Sequence, residues 1–175
     1  EYANAARLAI QARFDGVELH AANGYLIDQF LNKATNQRTD RWGGSIENRI
    51  RFAVEVAKAS VAAIGAERIG MRISPYGVFN GTEPDAEMDA MYLRLVDELN
   101  KLGLLYIHVV DHSSMGAPEV SPVLKANIRS AFKGSYLLSG GYDAARATAD
   151  LEANRGDLVA FGRPFISNPD LVARL

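Results

Sequence analysis

Residues 16–25, with the sequence GVELHAANGY, carry the side chains of this chain best suited to chemistry. Side chains alternate between the two faces of a strand, so Glu18 and His20 share one face of a short apolar strand that ends near His20. Asn23 and Tyr25 follow in the loop. Because parallel α/β proteins bind ligands at the carboxyl ends of their strands, we expect an imidazole, a carboxamide and a phenol to converge on one small molecule. The alternative is a strand end at which His20 only satisfies loop carbonyl groups.

Glycines follow two later strand-like runs. Gly140 and Gly141 come after one run, and Gly162 comes after the next, directly before Arg163. Loops of this kind let backbone N–H groups approach a phosphate, while a guanidinium closes over it. The pattern predicts a phosphate-binding site, with simple turns as the alternative because glycine is common after strands.

Arg72 lies in the predicted strand Ile69–Ser74, on the face opposite to its apolar side chains. If the apolar face meets the helices, Arg72 points to the other side of the sheet. A buried and unpaired guanidinium is costly, so Arg72 needs acceptors. Glu18, on the same face of the preceding strand, is a structural candidate, and a ligand with carbonyl oxygens is the functional one. The two are compatible.

Strand-like and helix-like runs alternate along the chain, which predicts a parallel sheet covered by helices. The apolar runs that predict strands are Gly16–His20, Ile69–Ser74, Leu104–Val110, Tyr136–Ser139 and Leu158–Phe161. The predicted helices are Tyr2–Arg13, Ser45–Ile64, Asp85–Leu102, Pro122–Phe132 and Asp143–Asn154, with a last helix capped by Asn168 and opened by Pro169. The helix after Ser45 has a continuous apolar stripe, and this stripe is expected to cover the sheet.

The position of the predicted phosphate site indicates a barrel. In (β/α)8 TIM barrels, the loops after strands seven and eight frequently bind phosphate, so the five strands of this α/β chain would be strands four to eight. A complete barrel typically needs about 250 residues, which leaves three strands unaccounted for. We therefore interpret residues 1–175 as the C-terminal portion of a single barrel domain. The expected partner is the missing N-terminal half of the barrel, in the same polypeptide or in a complementary chain.

Composition excludes several classes of function. Among 175 residues, 48% are hydrophobic and 23% are charged, and the net charge of −2 gives no electrostatic footprint for nucleic acid. Neither a membrane-spanning stretch nor a leader sequence is evident, so we expect a cytoplasmic protein without a membrane partner. Cysteine is absent, which excludes disulfides and thiolate chemistry. His108 and His112 fall on a strand and its loop without a third ligand, so we predict no metal site.

Three separated segments resemble the old yellow enzyme family of FMN-dependent ene-reductases. They are residues 20–25 (HAANGY), residues 36–49 (NQRTDRWGGSIENR) and residues 161–165 (FGRPF). The resemblance spans essentially the whole chain and is similar to the bacterial N-ethylmaleimide reductase and xenobiotic reductase branch. It implies reduction of activated alkenes such as enones and maleimides, and in some members of nitro compounds or nitrate esters.

The resemblance also implies roles for individual residues. His20 and Asn23 would donate hydrogen bonds to the substrate oxygen, and Tyr25 would donate the proton that completes hydride addition from flavin N5. Arg72 would contact the flavin near N1 and O2. The phosphate of FMN would be held by Gly140, Gly141, Gly162 and Arg163. Phe165 would approach the dimethylbenzene edge of the flavin, or else serve as a core aromatic.

The loops beside these residues carry further expectations. Tyr76 and Phe79 follow the strand that bears Arg72, and they either line the substrate pocket or cover the barrel rim. The loop 36–49 is rich in Asn, Asp, Arg and Gly, which predicts a structural excursion tied by internal hydrogen bonds.

No G-x-G-x-x-G motif follows a strand, so a Rossmann nicotinamide site is not encoded. The resemblance instead implies that NADPH or NADH reaches the same face of the flavin as the alkene, in alternating half-reactions. Two alternatives remain at this point. One is another phosphate-binding barrel enzyme acting on a sugar phosphate, and the other is a non-catalytic half barrel that serves as an assembly module.

Overall fold

A computed structural model describes all residues from 1 to 175. Its centre is one parallel sheet in which the five strands lie side by side in chain order. The strands are β1 (Val17–Ala21), β2 (Ile69–Ile73), β3 (Tyr106–Val110), β4 (Ser135–Ser139) and β5 (Leu158–Ala160). The helices are α1 (Tyr2–Gln11), α2 (Leu26–Leu31), α3 (Ile46–Ile64), α4 (Met88–Leu102), α5 (Pro122–Ala131), α6 (Ala144–Glu152), α7 (Arg163–Ser167) and α8 (Leu171–Arg174). Two short 3₁₀ helices occupy Ala66–Arg68 and Ser113–Met115.

The order of the strands confirms a segment of a β/α barrel. Each strand pairs only with its neighbours in the sequence, all pairs are parallel, and helices connect them. This is the repeat from which a TIM barrel is built. β1 and β5 each have a single neighbour, so the sheet has two open edges. None of the helices combines the length and apolar character that crossing a bilayer requires.

The helix α3 shows why the predicted elements form. Ser45 caps its start, and the hydroxyl of Ser45 accepts a hydrogen bond from the backbone N–H of Asn48. Glu47 in the first turn complements the helix dipole. Ile50 and Ala53 are fully buried on the apolar stripe, which packs in the core between the sheet and the helices. The predicted helix is therefore confirmed with its cap.

Side chains alternate across the sheet as the sequence predicts. Ile69, Met71 and Ile73 of β2 are completely buried in the core against the helices. Gly70 and Arg72 point to the opposite face, which is the inner face of a barrel. The register places His20, Arg72 and His108 next to one another on three adjacent strands, so the polar residues form one row on that face.

The loop 36–49 is structural, as predicted. The side-chain amide of Asn36 donates to the backbone oxygens of Phe30 and Trp42, both at 2.7 Å. Arg49 is fully buried, and its guanidinium donates to the backbone oxygen of Leu31 and to the Glu87 carboxylate, both at 2.8 Å. Asn36 and Arg49 thus connect this loop to neighbouring backbone groups and to Glu87, while Nε of Arg49 is buried without a partner.

The end of the chain differs from the prediction. A helix capped by Asn168 with Pro169 in its first turn does not form, and α8 begins only at Leu171. The side-chain amide of Asn168 instead donates at 2.9 Å to the backbone oxygen of Pro164, so Asn168 closes the short helix α7. The sequence prediction missed α7 and α2, which are too short for an apolar period to be recognised.

Candidate active site

His20, Asn23 and Tyr25 lie together at the carboxyl end of β1. The ring centroids of His20 and Tyr25 are 5.0 Å apart, with a tilt of 43° between the planes. Tyr25 is the N-cap residue of α2, directly before Leu26, and is 56% exposed. Burial and the nearby charge of Arg72 lower the pKa of His20, so its imidazole is neutral at neutral pH. A neutral imidazole and a phenol therefore face the open side of the sheet.

Asn23 is held by three surrounding segments. Its backbone adopts a left-handed conformation with φ of 62°. The backbone N–H donates to the hydroxyl of Ser74 at 2.8 Å, and the backbone oxygen accepts from the side chain of Asn80 at 2.8 Å. The side-chain oxygen Oδ1 lies 2.7 Å from Nε2 of His112. The amide nitrogen Nδ2 has no acceptor within the chain and is free to donate to a ligand.

His112 is a residue of this site that the sequence reasoning missed. It follows β3 in the loop, only 8% of its surface is exposed, and the ring of Phe79 meets its imidazole edge to face at 4.8 Å. In the sequence it was considered only as a metal ligand. Its position directly after a predicted barrel strand was a usable signal, because such positions face the binding end of the fold.

Arg72 does not pair with Glu18, which corrects the structural alternative raised from the sequence. Oε2 of Glu18 lies 2.9 Å from Nδ1 of His108, and Nε2 of His108 lies 2.8 Å from the hydroxyl of Ser139. Burial alone would raise the pKa of Glu18, but the hydrogen bond and charge of His108 outweigh it, and the pKa is lowered. The buried Nε of Arg72 has no partner. A buried donor without an acceptor is rare, so this group points to a ligand.

The residues of the predicted phosphate site line one cleft of about 510 Å³. Arg72, Gly140, Gly141, Gly162 and Arg163 all contribute to its wall. His112 also lines this cleft, so it joins the cleft to the group around Asn23. The structure therefore places all the predicted cofactor residues except Phe165 around a single cleft.

Two of these glycines are required by the backbone. Gly140 has φ of 111°, and a Cβ atom there would collide with the backbone oxygen of Asp111. Gly141 has φ of 64°, and its Cβ would lie 2.7 Å from the Cβ of Ser114. Gly162 has an ordinary negative φ and open space around it. Its lack of a side chain leaves the mouth of the cleft clear.

The remaining predicted residues lie as follows. Arg163 is exposed at the start of α7, with Nη2 at 2.9 Å from the sulfur of Met115. Phe165 belongs to the same helix and is 40% exposed. The hydroxyl of Tyr76 donates at 2.6 Å to Asp89 of α4, and this bond raises the pKa of Tyr76 to about 12. Substrate binding by Tyr76 and flavin contact by Phe165 stay predictions.

A second cavity of about 480 Å³ lies between α5 and α6 in the outer layer. Its wall is rich in cationic side chains, but each has a partner in the chain. The pairs are Lys125 with Asp111, Arg129 with Asp157, Arg155 with Asp150, and Arg146 with the backbone oxygen of Gly140. The cationic side chains of this cavity are thus all paired, in contrast to Arg72 in the other cleft, whose Nε has no partner.

Comparison with known proteins decides the family. The NADH:flavin oxidoreductase / NADH oxidase family matches residues 1–175, the whole chain. The chain belongs to this family. A putative 12-oxophytodienoate reductase of Oryza sativa subsp. japonica is 45% identical, and the aldehyde reductase FrzD of a Cladobotryum species is 47% identical. Each match covers 99% of this chain and 48% of the relative, so the chain spans about half the length of these relatives.

Solved structures agree with this assignment. Morphinone reductase in complex with tetrahydroNAD is 46% identical with a TM-score of 0.92, over 99% of this chain and 46% of that one. The old yellow enzyme homologue from Zymomonas mobilis is 39% identical with a TM-score of 0.92, over 99% and 49% of the two chains. The resemblance to the old yellow enzyme family and the partial TIM barrel are thereby confirmed.

The residues of this chain fit the FMN that the family uses. The unpartnered Nε of Arg72 suits an acceptor on the flavin ring, and the glycine-lined loops suit a phosphate. The exposed guanidinium of Arg163 lies at the same cleft. The unpaired Nε of Arg72 and the glycine-lined loops are independent features, and both suit FMN.

Proposed function

We propose that the complete protein is an NAD(P)H-dependent FMN ene-reductase that reduces activated C=C bonds. One observation carries the proposal. Nδ2 of Asn23 and the imidazole of His20 have no acceptors in the chain, and they lie beside the exposed phenol of Tyr25 at the strand ends that also bear Arg72. Two free donors and an acid next to a flavin-type cleft suit addition of hydride and a proton to a polarised alkene.

His20 and Asn23 would bind the carbonyl or nitro oxygen of the substrate. Negative charge grows on that oxygen as hydride adds to the β carbon. Two donors aimed at it therefore stabilise the transition state more than the ground state. In its neutral state His20 has one N–H, which it can donate to the substrate oxygen.

Tyr25 would act as the general acid. Its hydroxyl is exposed, and its ring is held against His20 at the start of α2. A phenol can protonate the α carbon of the alkene as the β carbon receives hydride. This step completes the saturation of the double bond.

Arg72 and the cleft residues would hold FMN, which supplies the hydride when bound. Arg72 would donate to the pyrimidine edge of the flavin, where negative charge gathers on reduction. Backbone N–H groups of the loops at Gly140, Gly141 and Gly162, with Arg163, would hold the phosphate. Arg72 lies opposite His20 in the register of β1 and β2, so the residue that would hold the flavin is next to a residue that would bind the substrate.

We propose NADH or NADPH as the reductant and enones or maleimides as substrates, with nitro compounds and nitrate esters as further candidates. The complex of morphinone reductase with tetrahydroNAD supports a nicotinamide. The proposed activity requires a closed barrel. Three further strands would have to fill the gap between the open edge of β1 and the open edge of β5. N-ethylmaleimide is a suitable first substrate because its alkene is activated by two carbonyl groups.

The test is made on the full-length protein. We expect a yellow protein whose flavin is bleached by NADH or NADPH without oxygen and recovers when N-ethylmaleimide or cyclohexenone is added. A colourless protein that does not bind FMN would favour the non-catalytic half barrel. A flavin that is reduced but not reoxidised by any activated alkene would contradict the proposed reaction.

A further inference from the structure

We propose that His112 is a positioning residue that aims the side-chain amide of Asn23 at the substrate oxygen. In this assignment Nε2–H of His112 donates to Oδ1 of Asn23, and Nδ2 of Asn23 is left to donate to the substrate. The inference rests on the proposed function and adds to it a residue that does not touch the reacting atoms.

The direction of the hydrogen bond follows from the atoms that meet. Oδ1 of Asn23 lies 2.7 Å from Nε2 of His112, and an amide oxygen can only accept. With this orientation of the amide, Nε2 carries the proton. The opposite end of the same amide, Nδ2, can only donate. His112 thus determines which end of Asn23 a ligand meets.

No other contact determines that choice. The bonds to Ser74 and Asn80 involve the backbone N–H and backbone oxygen of Asn23, so they hold its main chain but not the rotation of its amide. A half-turn about the Cβ–Cγ bond would exchange Nδ2 and Oδ1. The exposed Oδ1 would then repel a substrate oxygen that gains negative charge.

His112 itself is well held. Its backbone oxygen accepts from the N–H of Met115 at 2.8 Å, and the ring of Phe79 packs against its imidazole. Burial and the charges of Arg72 and Arg163 lower its pKa, against the opposing effect of Asp111. A neutral imidazole has one N–H, and here that N–H is used on Asn23.

Two substitutions in the full-length holoenzyme test the role. His112→Leu removes the donor, and we expect kcat/KM for N-ethylmaleimide to fall about tenfold, as for the loss of one oriented hydrogen bond. His112→Gln keeps an N–H donor and is expected to recover most of the loss. Equal activity of the Leu variant and the wild type, with normal FMN content, would overturn the assignment.

The coupling to Asn23 gives a second test. If His112 acts only through Asn23, His112→Leu adds no further loss in an Asn23→Ala background. Losses that multiply in the double variant would show that His112 acts independently, and would overturn the proposal.

A third measurement does not depend on turnover. The ¹⁵N chemical shifts of the His112 ring in the wild-type holoenzyme are expected to show a protonated Nε2 and a bare Nδ1. The opposite tautomer in an active enzyme overturns the role of His112 alone, and it does so even if the Leu variant fails to fold. A protein that holds FMN but reduces no alkene overturns the proposed function itself.

Discussion

At the scale of single residues, the polar groups on the inner face differ in whether they have hydrogen-bond partners within the chain. Glu18, His108 and Ser139 on the inner face satisfy one another. Nδ2 of Asn23 and Nε of Arg72 do not find acceptors in the chain. Buried polar groups are nearly always paired. Of the four buried side-chain atoms without a partner, only Nε of Arg72 belongs to a residue that lines the cleft, which makes it the candidate to meet a ligand.

Tyr25→Phe in the full-length protein removes the proposed acid while keeping the ring against His20. We expect alkene reduction to slow by roughly 100-fold, the lower end for loss of a general acid, with flavin reduction by the nicotinamide nearly unchanged. Stopped-flow absorbance of the two half-reactions measures this. Tyr2→Phe, which alters a hydroxyl on α1, is the matched control. Equal slowing of both half-reactions would refute Tyr25 as the acid.

Arg163→Ala removes the proposed charged contact to the FMN phosphate. We expect weaker retention of FMN, by about tenfold in Kd, because charge-assisted hydrogen bonds exceed neutral ones in strength. Flavin released on dilution is measured by fluorescence. Arg174→Ala, which alters an exposed arginine paired with Asp170, is the control. Unchanged occupancy would remove Arg163 from the site.

At the scale of elements, the loops after the strands build the site, and their shape depends on a few positions. The loop after β4 turns with two glycines in left-handed or extended positive-φ conformations and passes close to Asp111 of the loop after β3. The loop after β1 is held by Asp28 of α2, which accepts from the N–H of Gly24 at 2.8 Å. These contacts position Asn23 and the cleft relative to each other.

Gly140→Ala tests the loop after β4. Its Cβ would collide with the backbone oxygen of Asp111, so we expect lost FMN binding and reduced stability. Gly116 also has a positive φ, 89°, but open space around it. Gly116→Ala should therefore lower the free energy of unfolding only by the cost of placing Ala at a positive φ, about 1–2 kcal/mol, and this variant should retain FMN. FMN titration and thermal unfolding separate the two effects, and equal behaviour of the variants would contradict the close approach.

Asp28 makes the stability of this region depend on pH. Its burial raises the pKa to about 6, against the hydrogen bonds from Gly24, Ser74 and Tyr92. The folded state binds the proton more tightly than the unfolded chain, so this contribution to stability is present at low pH and is lost as pH rises from about 4 to about 6.

Replacement of Asp28 by Asn is expected to remove that dependence in the full-length protein. The free energy of unfolding of the wild type, relative to Asp28→Asn, should fall with rising pH by up to about 3 kcal/mol over this window. Denaturant titrations at several pH values measure the difference. If the free energies of unfolding of the two proteins changed with pH in parallel, the pKa of Asp28 would not be raised in the folded state.

At the scale of the whole molecule, the open edges of β1 and β5 require closure. Strand edges present unpaired backbone groups. The inner face also carries Arg72, whose buried Nε has no partner in the chain. The relatives are about twice as long as the matched segment. We propose that residues 1–175 are the C-terminal portion of a single barrel domain.

We expect the natural polypeptide to have about 250 residues or more, the usual size of such a barrel. Intact mass of the protein from its source measures the length. Residues 1–175 expressed alone should associate through their open edges and bind FMN weakly in gel filtration with added cofactor. A stable monomer of five strands that binds FMN tightly would contradict the need for the other strands.

Much of the fold was predictable because it depends on local patterns. The alternation of β2 and the apolar stripe after Ser45 predicted which faces pack, and both are confirmed. The ends of elements were predicted less well. Asn168 has the residue type of a helix cap, yet it closes α7, since its amide meets the oxygen of Pro164 in that turn.

The sequence by itself determined the class of fold, the family and the residues at the strand ends, because periodicity and ordered motifs are local properties of the chain. The tertiary structure alone decided which of these residues meet. His112 and Asn23 are 89 positions apart, and Glu18 and His108 are 90 apart. Periodicity shows the face on which a side chain lies, but the partner across a sheet depends on strand register and loop shape. For that reason the pairing of Glu18 with His108, which leaves Arg72 for a ligand, emerged only in three dimensions.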